Sequence, residues 1–133
     1  METESLRIRG SSKGKEEESL DSTGLARKIV DMLEERLAAE ILLLDVGAVT
    51  LLADYFVLCT ANSERQINAL AGDLSKQLKA EAGRPFGIEG QPQSGWMLLD
   101  YGDVVVHILS KEMREFYALE ELWKGALTIV HIQ

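Results

Sequence analysis

The chain has 133 residues, of which 46% are hydrophobic, and it carries a formal net charge of −8. This length suits one domain that buries roughly two-thirds of its unfolded surface, so neither disulfide bonds nor a metal is needed for folding. Direct binding to nucleic acid is disfavoured, because it requires a basic surface, whereas an acidic protein is attracted to basic proteins.

Residues 1–20 are polar and have almost nothing to bury, so the sequence predicts a disordered N-terminal extension. The acidic start, Met1–Ser5, resembles neither a secretory signal nor a transit peptide. No run approaches the roughly 20 apolar residues that span a bilayer, so we expect no membrane contact and a cytoplasmic location. The single cysteine, Cys59, is expected to be a small buried hydrophobe.

Two helices and two strands are predicted in the first half of the chain. Capping side chains at 21–23 begin a helix that runs to about Ala39, with an apolar residue at every fourth position from Leu25 to Leu37. The apolar runs 41–46 and 55–60 indicate strands that are covered on both faces. Ser63 and Gln66 form a capping box for a second helix, which ends at Gly83.

The second half is predicted to contain a short strand within 86–95, a hairpin over 96–109 and a last helix from Lys111 to Lys124. The apolar residues of that helix are Met113, Phe116, Leu119, Leu122 and Trp123. The pattern predicts a single α/β domain over residues 21–125, with a mixed sheet of about five strands flanked by helices. Residues 126–133 form a C-terminal tail, either an edge strand or a segment packed on the surface.

The hairpin is the most informative segment. A glycine at the first position of the Gly102–Asp103 turn suits a mirror-type turn. The implied register pairs Trp96 with Leu109, Leu98 with His107, and Asp100 with Val105. Alternation then places six apolar or aromatic residues on a core face: Met97, Leu99, Tyr101, Val104, Val106 and Ile108.

The opposite hairpin face mixes an aromatic, aliphatic residues, a carboxylate and an imidazole: Trp96, Leu98, Asp100, Val105, His107 and Leu109. This mixture is typical of a docking surface and is poor material for a buried interior. A second interpretation remains open, in which Asp100 and His107 are merely solvated and Trp96 packs under a helix.

No catalytic constellation is evident. The two histidines are far apart, no Cys or His pair has the spacing of metal ligands, and no glycine-rich phosphate loop is present. Asp100 and Asp103 straddle a tight turn, which argues against a shared metal. We therefore assign no catalytic residue and no metal ligand, and we expect no cofactor and no enzymatic activity.

Five segments closely resemble the ribosome silencing factor family, also called Iojap-like proteins. In this chain they read DYFVLCT (54–60), SERQI (63–67), GIEG (87–90), WMLLDYGDVVVH (96–107) and REFYALEELW (114–123). The resemblance covers residues 24–124, and the order and spacing of five segments make it specific. Ala61–Asn62 departs from the glycine and small polar residue that many members have there.

The resemblance implies a fold similar to that of nucleotidyltransferases without their metal-holding carboxylates. It implies binding to the large ribosomal subunit, through the basic large-subunit protein on the subunit-joining face, which blocks the small subunit and represses translation. Organellar members assist large-subunit assembly, and free members often form homodimers. A large-subunit assembly factor and a nucleotide-handling enzyme are therefore the alternative functions.

The resemblance also carries residue assignments. Trp96, Asp100, Tyr101, Asp103 and His107 match the signature hairpin of the family, and Tyr117, Leu119 and Trp123 match its closing helix. Combined with the hairpin face, this gives the expected partner-binding set: Trp96, Leu98, Asp100, Tyr101, Asp103, Val105, His107, Tyr117 and Trp123. Tyr101 ranks lower than the others because it falls on the core face.

Overall fold

Four helices, six strands and a short 3-10 turn make up the part of the chain that the computed structural model describes, residues 21–118, 121 and 125–133. In chain order the helices and strands are α1 (Ser22–Glu35), β1 (Ala39–Asp45), β2 (Tyr55–Ala61), α2 (Glu64–Gln77), α3 (Lys79–Ala82), β3 (Gly87–Gln91), β4 (Trp96–Asp100), β5 (Val104–Ser110), α4 (Lys111–Tyr117) and β6 (Leu127–Ile132).

The strands form one mixed sheet in the order β3-β4-β5-β2-β1-β6. Only β2 and β5 run parallel, and every other neighbouring pair is antiparallel. The α/β class is confirmed, but the expectation of about five strands was one short. The sixth is β6, which pairs with the edge of β1 and packs Val130 and Ile132 against the main core.

Helices α1 and α2 cover one face of the sheet, and we call the apolar layer beneath them the inner core. Leu25, Ile29 and Leu33 of the predicted stripe are buried in it. Leu37 is not, because the helix ends at Glu35 rather than near Ala39. Leu37 adopts a left-handed backbone (φ 64°) that breaks the helical repeat, and its side chain is 83% exposed.

The predicted Ser63 cap of α2 is confirmed, but the return bond of the predicted capping box goes to Asn62, one residue before the cap, instead of to Ser63. Ser63 Oγ accepts a hydrogen bond from the backbone N–H of Gln66 at 3.0 Å, and Gln66 Oε1 accepts one from the N–H of Asn62 at 2.7 Å. The helix is interrupted at the buried Leu78, where α2 gives way to α3. Gly83, at φ 74°, then ends this helical region as its position in the sequence predicts.

Helix α4 is shorter than expected. It ends at Tyr117 instead of Lys124, because Ala118 turns left-handed (φ 47°) and its N–H donates to the carbonyl of Arg114. Phe116 was expected on the apolar face and is 77% exposed. The predicted contributions of Leu119, Leu122 and Trp123, and the predicted extension over residues 1–20, lie outside the described residues.

The other face of the sheet carries a smaller apolar layer, here called the outer core, which consists of Leu42, Leu44, Val46, Ala53, Phe56, Leu58 and Leu109. Helix α4 lies at one end of this face, held there by Arg114. The Arg114 guanidinium donates to the carbonyl of Glu40 at 2.8 Å and to Thr60 Oγ1 at 3.0 Å. None of the helices described here has the length and apolar character needed to cross a membrane.

Candidate docking face

The hairpin has the register that its sequence predicts. Trp96 lies opposite Leu109, and Leu98 lies opposite His107. At the turn, the N–H of Tyr101 donates to the carbonyl of Val104 at 2.9 Å. Gly102 has φ 86°, so a residue with a side chain would be strained there. The Asp100 carboxylate reinforces the turn by accepting the Gly102 N–H at 2.7 Å.

Alternation also separates the two hairpin faces as expected. All six residues assigned to the core face belong to the inner core: Met97, Leu99, Tyr101, Val104, Val106 and Ile108. Tyr101 is therefore a core residue of this chain, and its ring is not available to a partner. Its place in the expected partner-binding set was wrong in this respect, although it helps to position the turn.

Trp96 is partly exposed and links the hairpin to α4. Its indole Nε1 donates to His107 Nδ1 at 3.3 Å, and its ring centroid lies 4.8 Å from that of Tyr117. The indole thus packs beside a helix on one side only and keeps a solvent-accessible part. Trp96 therefore packs against a helix, as one interpretation of the sequence predicted, and also keeps exposed surface, as the other required.

His107 is buried, with 7% exposure, so the expectation that it lies on an accessible surface was wrong. The reason is a residue from another strand: Phe56 of β2 packs edge-on against the imidazole at 5.2 Å, while Trp96 covers a second side. Burial lowers the pKa of His107 to about 4, so the ring is neutral. Because Nδ1 accepts from Trp96, the proton sits on Nε2, which has no hydrogen-bond partner among the residues that the structure describes.

The remaining expected residues form a connected surface. Leu98, Asp100 and Val105 are partly exposed on the same hairpin face as Trp96, and Tyr117 of α4 is 42% exposed beside it. We call the five residues Trp96, Leu98, Asp100, Val105 and Tyr117 the docking face. Asp103 is exposed at the turn next to it, and the position of Trp123 is not described.

Sequence reasoning missed an extension of this aromatic surface. Phe116 meets Tyr117 edge-on, with ring centroids 5.0 Å apart, and projects into solvent. The sequence offered a partial signal, because neighbouring positions of a helix point about 100° apart and two adjacent aromatic rings rarely face one core to the same extent. An exposed phenylalanine beside a half-exposed tyrosine enlarges the apolar area that a partner would bury.

The electrostatics of the sheet are one-sided. The six strands contain no lysine and no arginine, but they carry four carboxylates: Glu40, Asp45, Glu89 and Asp100. Arg114 approaches from α4, but its guanidinium is buried against a backbone carbonyl and a hydroxyl. The docking face therefore joins apolar area to negative charge.

A cleft of about 740 Å³ opens elsewhere, where the parallel strands β2 and β5 end beside α2 and α4. Its carboxylates, Glu64 and Glu112, sit in the first turns of those helices. In the described part of the chain, no group of three or more His, Cys, Asp or Glu residues is arranged to hold a metal. Cys59 is fully buried, and desolvation raises its pKa to about 12, so its thiol is not activated as a nucleophile.

Comparison with known proteins gives one consistent family. The model of the family "Ribosomal silencing factor during starvation" matches residues 18–133. A ribosomal silencing factor of Halalkalibacterium halodurans is 36% identical over 105 residues, which cover 79% of this chain and 90% of that protein. A mouse protein named "Mitochondrial assembly of ribosomal large subunit protein 1" is 33% identical over 98 residues, covering 71% of this chain and 43% of that protein.

The fold of a solved relative agrees. The crystal structure of a Chromobacterium violaceum protein superposes with a TM-score of 0.75 at 31% sequence identity, covering 79% of this chain and 88% of that chain. The sequence comparison and the structure comparison thus agree: the proteins that this chain resembles in sequence include one whose solved fold it shares.

Proposed function

The chain belongs to the family of ribosomal silencing factors, and from this premise we propose that it represses translation by binding the large ribosomal subunit and blocking the small subunit from joining it. The contact that we assign to this role is the docking face, pressed against a basic protein of the large subunit. The chain acts as a binding module in this mechanism, and no bond is made or broken.

The observation that carries this proposal is the composition of the docking face. The partly exposed indole of Trp96 lies beside the 42% exposed Tyr117, with ring centroids 4.8 Å apart, and Leu98 and Val105 are partly exposed on the same hairpin face. Large aromatic residues at the centre of an interface contribute most of its binding energy. The carboxylates around them attract a positively charged partner and orient it during the encounter.

The proposed inhibition is steric. A folded chain of 133 residues has a radius of gyration of about 14 Å. A body of that size, bound on the surface where two subunits meet, holds them apart by more than the reach of any hydrogen bond or salt bridge. Repression then requires only that the docking face bind tightly enough to persist while small subunits compete.

The first experiment is sedimentation of the protein with purified subunits. We expect the wild-type protein to travel with the large subunit and to lower the fraction of joined ribosomes when small subunits are added. Trp96→Glu should lose both effects, because it replaces an apolar anchor by a charge facing a desolvated contact. A truncated anchor of this kind costs about 2 kcal/mol or more, roughly a thirtyfold rise in Kd.

Two further variants make the result specific. Leu98→Glu tests the same face and retains both side chains of the Trp96–His107 hydrogen bond, so a loss of binding would not depend on removing the indole. Leu37→Glu places the same charge on an 83% exposed leucine after α1 and should bind like wild type. Wild-type binding by folded Trp96→Glu and Leu98→Glu, checked by circular dichroism, would remove the docking face from the mechanism.

A role in assembly of the large subunit is the second candidate, favoured by the name of the mouse relative. The two roles predict different defects in cells that lack the protein. An assembly factor leaves immature large-subunit particles behind, whereas a repressor leaves mature subunits that join too readily under starvation. A gradient profile of such cells, grown rich and starved, separates the two.

A further inference from the structure

The loop between β1 and β2 displays two adjacent leucines to solvent. Leu51 and Leu52 are 103% and 81% exposed, whereas the next residue, Ala53, is buried in the outer core. Neither leucine joins the apolar layer that its neighbour enters. These two exposed aliphatic side chains on one loop make an apolar knob, and no residue in the described part of the chain packs over it.

The backbone of this loop is well ordered by its own hydrogen bonds. The N–H groups of Val49 and Thr50 both donate to the carbonyl of Val46 at 3.0 Å, and the N–H of Leu52 donates to Thr50 Oγ1 at 3.1 Å. The N–H of Val46 donates in turn to the carbonyl of Asp54 at 2.9 Å, which closes the loop. The backbone therefore holds the leucines in fixed outward positions. Binding of a partner to them costs little conformational entropy, because the loop is already ordered.

The knob lies next to the docking face. The backbone N–H groups of Asp54 and Tyr55 both donate to the carbonyl of Asp103, at 2.8 and 3.0 Å, so the loop is tied to the hairpin turn. Phe56 then pairs with Val105, one of the docking-face residues. The loop that carries Leu51 and Leu52 thus lies beside the hairpin turn, at the end of the sheet opposite to α4.

The charge around the knob identifies its partner. No lysine or arginine occurs from Leu37 to Glu64, whereas Asp45 and Asp54 border the loop on both sides. Apolar side chains inside a carboxylate border complement an apolar recess bordered by lysine or arginine. A second copy of this chain would bring like charges together, so the charges favour a basic protein over self-association.

We infer that Leu51 and Leu52 are a second anchor for the basic protein of the large subunit, inserted into an apolar recess beside the surface that the docking face covers. This inference rests on the proposed function. Two anchors at opposite ends of one face fix the orientation of the bound chain, which a steric block requires, whereas a single aromatic anchor would leave it free to pivot.

The test compares leucines that are all more than 80% exposed. The double variant Leu51→Asp/Leu52→Asp should weaken binding to purified large subunits at least tenfold in a sedimentation titration. Its thermal unfolding should match that of wild type, because both side chains are already in solvent. The matched control is Leu37→Asp, which changes an 83% exposed leucine at the far end of the sheet and should bind like wild type.

The outcomes separate this inference from the proposed function. If the wild-type chain does not bind large subunits, the proposed function fails. If wild type and Leu37→Asp bind and the double variant binds equally well, the second anchor is overturned while the docking face stands. A double variant that binds normally but changes from dimer to monomer in light scattering would assign the leucines to self-association and would also overturn the inference.

Discussion

At the scale of single residues, His107 shows how a polar group enters the interior of this chain. Its Nδ1 is satisfied by Trp96, and the rings of Phe56 and Trp96 replace water around it. Within the described part of the chain the Nε2–H has no acceptor, which makes burial of the neutral ring costly and burial of the charged ring more costly still. The pKa of about 4 expresses that second cost.

This pKa makes the stability of the fold depend on pH. The unfolded histidine takes up its proton near pH 6.5, whereas the folded one does so near pH 4, so the unfolded state binds more protons in between. The contribution is complete above pH 6.5 and is lost as the pH falls to 4, by about 3 kcal/mol. Urea unfolding at several pH values measures this loss.

The matched variant for this prediction is His107→Gln, whose amide oxygen can still accept from the Trp96 indole but does not titrate. Carboxylates contribute to acid unfolding in both proteins, so the informative quantity is the difference between their free energies of unfolding. We expect that difference to change in favour of His107→Gln as the pH falls from 6.5 to 4. A difference that stays constant over this range would contradict the assignment.

At the scale of elements, the sequence predicts best what is encoded locally. The hairpin register follows from the Gly102–Asp103 turn and from alternation within fourteen residues, 96 to 109, and it is confirmed pair by pair. The Ser63 cap of α2 is local in the same way. In such elements, residues that are close in sequence determine the strand pairing and the helix cap.

Features that depend on distant residues were not predictable in this way. The burial of His107 requires Phe56 from a strand that is remote in sequence, and the place of β6 depends on a free edge of β1. The early end of α4 depends on the left-handed turn at Ala118, a residue type that gives no stop signal. The sequence was enough to predict which residues share the hairpin face, but it was not enough to predict which of them are accessible to solvent.

The pairing of β3 with β4 leads to a prediction at this scale. Gly90 has φ 85°, and a side-chain Cβ built there would lie 2.1 Å from the backbone oxygen of Trp96. Gly90→Ala must therefore push β3 away from β4, and we expect it to cost about 2 kcal/mol or more of stability. Gly87→Ala, in the same strand, meets nothing within 4 Å and is the control.

Urea unfolding, followed by circular dichroism, measures both glycine variants. Because the clash falls on the backbone of Trp96, Gly90→Ala should also weaken binding to large subunits, while Gly87→Ala should leave it unchanged. If the two variants are equally stable, the prediction is wrong, and the edge strand β3 accommodates the added methyl group without displacing Trp96.

At the scale of the whole molecule, charge and shape act together. In addition to the net charge of −8, the strands of the sheet carry carboxylates and no lysine or arginine. Ribosomal RNA is also anionic and would repel such a surface, so the complex proposed above requires a basic protein exposed between stretches of RNA. The anionic sheet thus restricts where on a subunit the chain can bind as much as it strengthens the contact it makes.

This restriction predicts how the affinity responds to salt. Raising monovalent salt from about 50 to 500 mM shortens the screening length from more than 10 Å to a few ångströms, so attraction to a basic protein weakens. We expect Kd to rise about tenfold at constant Mg²⁺, mainly through slower association. Asp100→Asn removes one charge while keeping an acceptor for the Gly102 N–H, so it should bind more weakly at low salt and respond less to added salt.

The exposed Asp31 of α1 lies on the helical side of the sheet and supplies the control. Asp31→Asn changes the net charge by the same amount as Asp100→Asn. We expect only a small change in its Kd, and the dependence of its Kd on salt concentration should stay near that of wild type. If the Kd values of the two variants depend equally on salt concentration, net charge alone governs the rate of association. An affinity that rises with salt would mean that repulsion from RNA dominates, and the contact with a basic protein would then have to be abandoned.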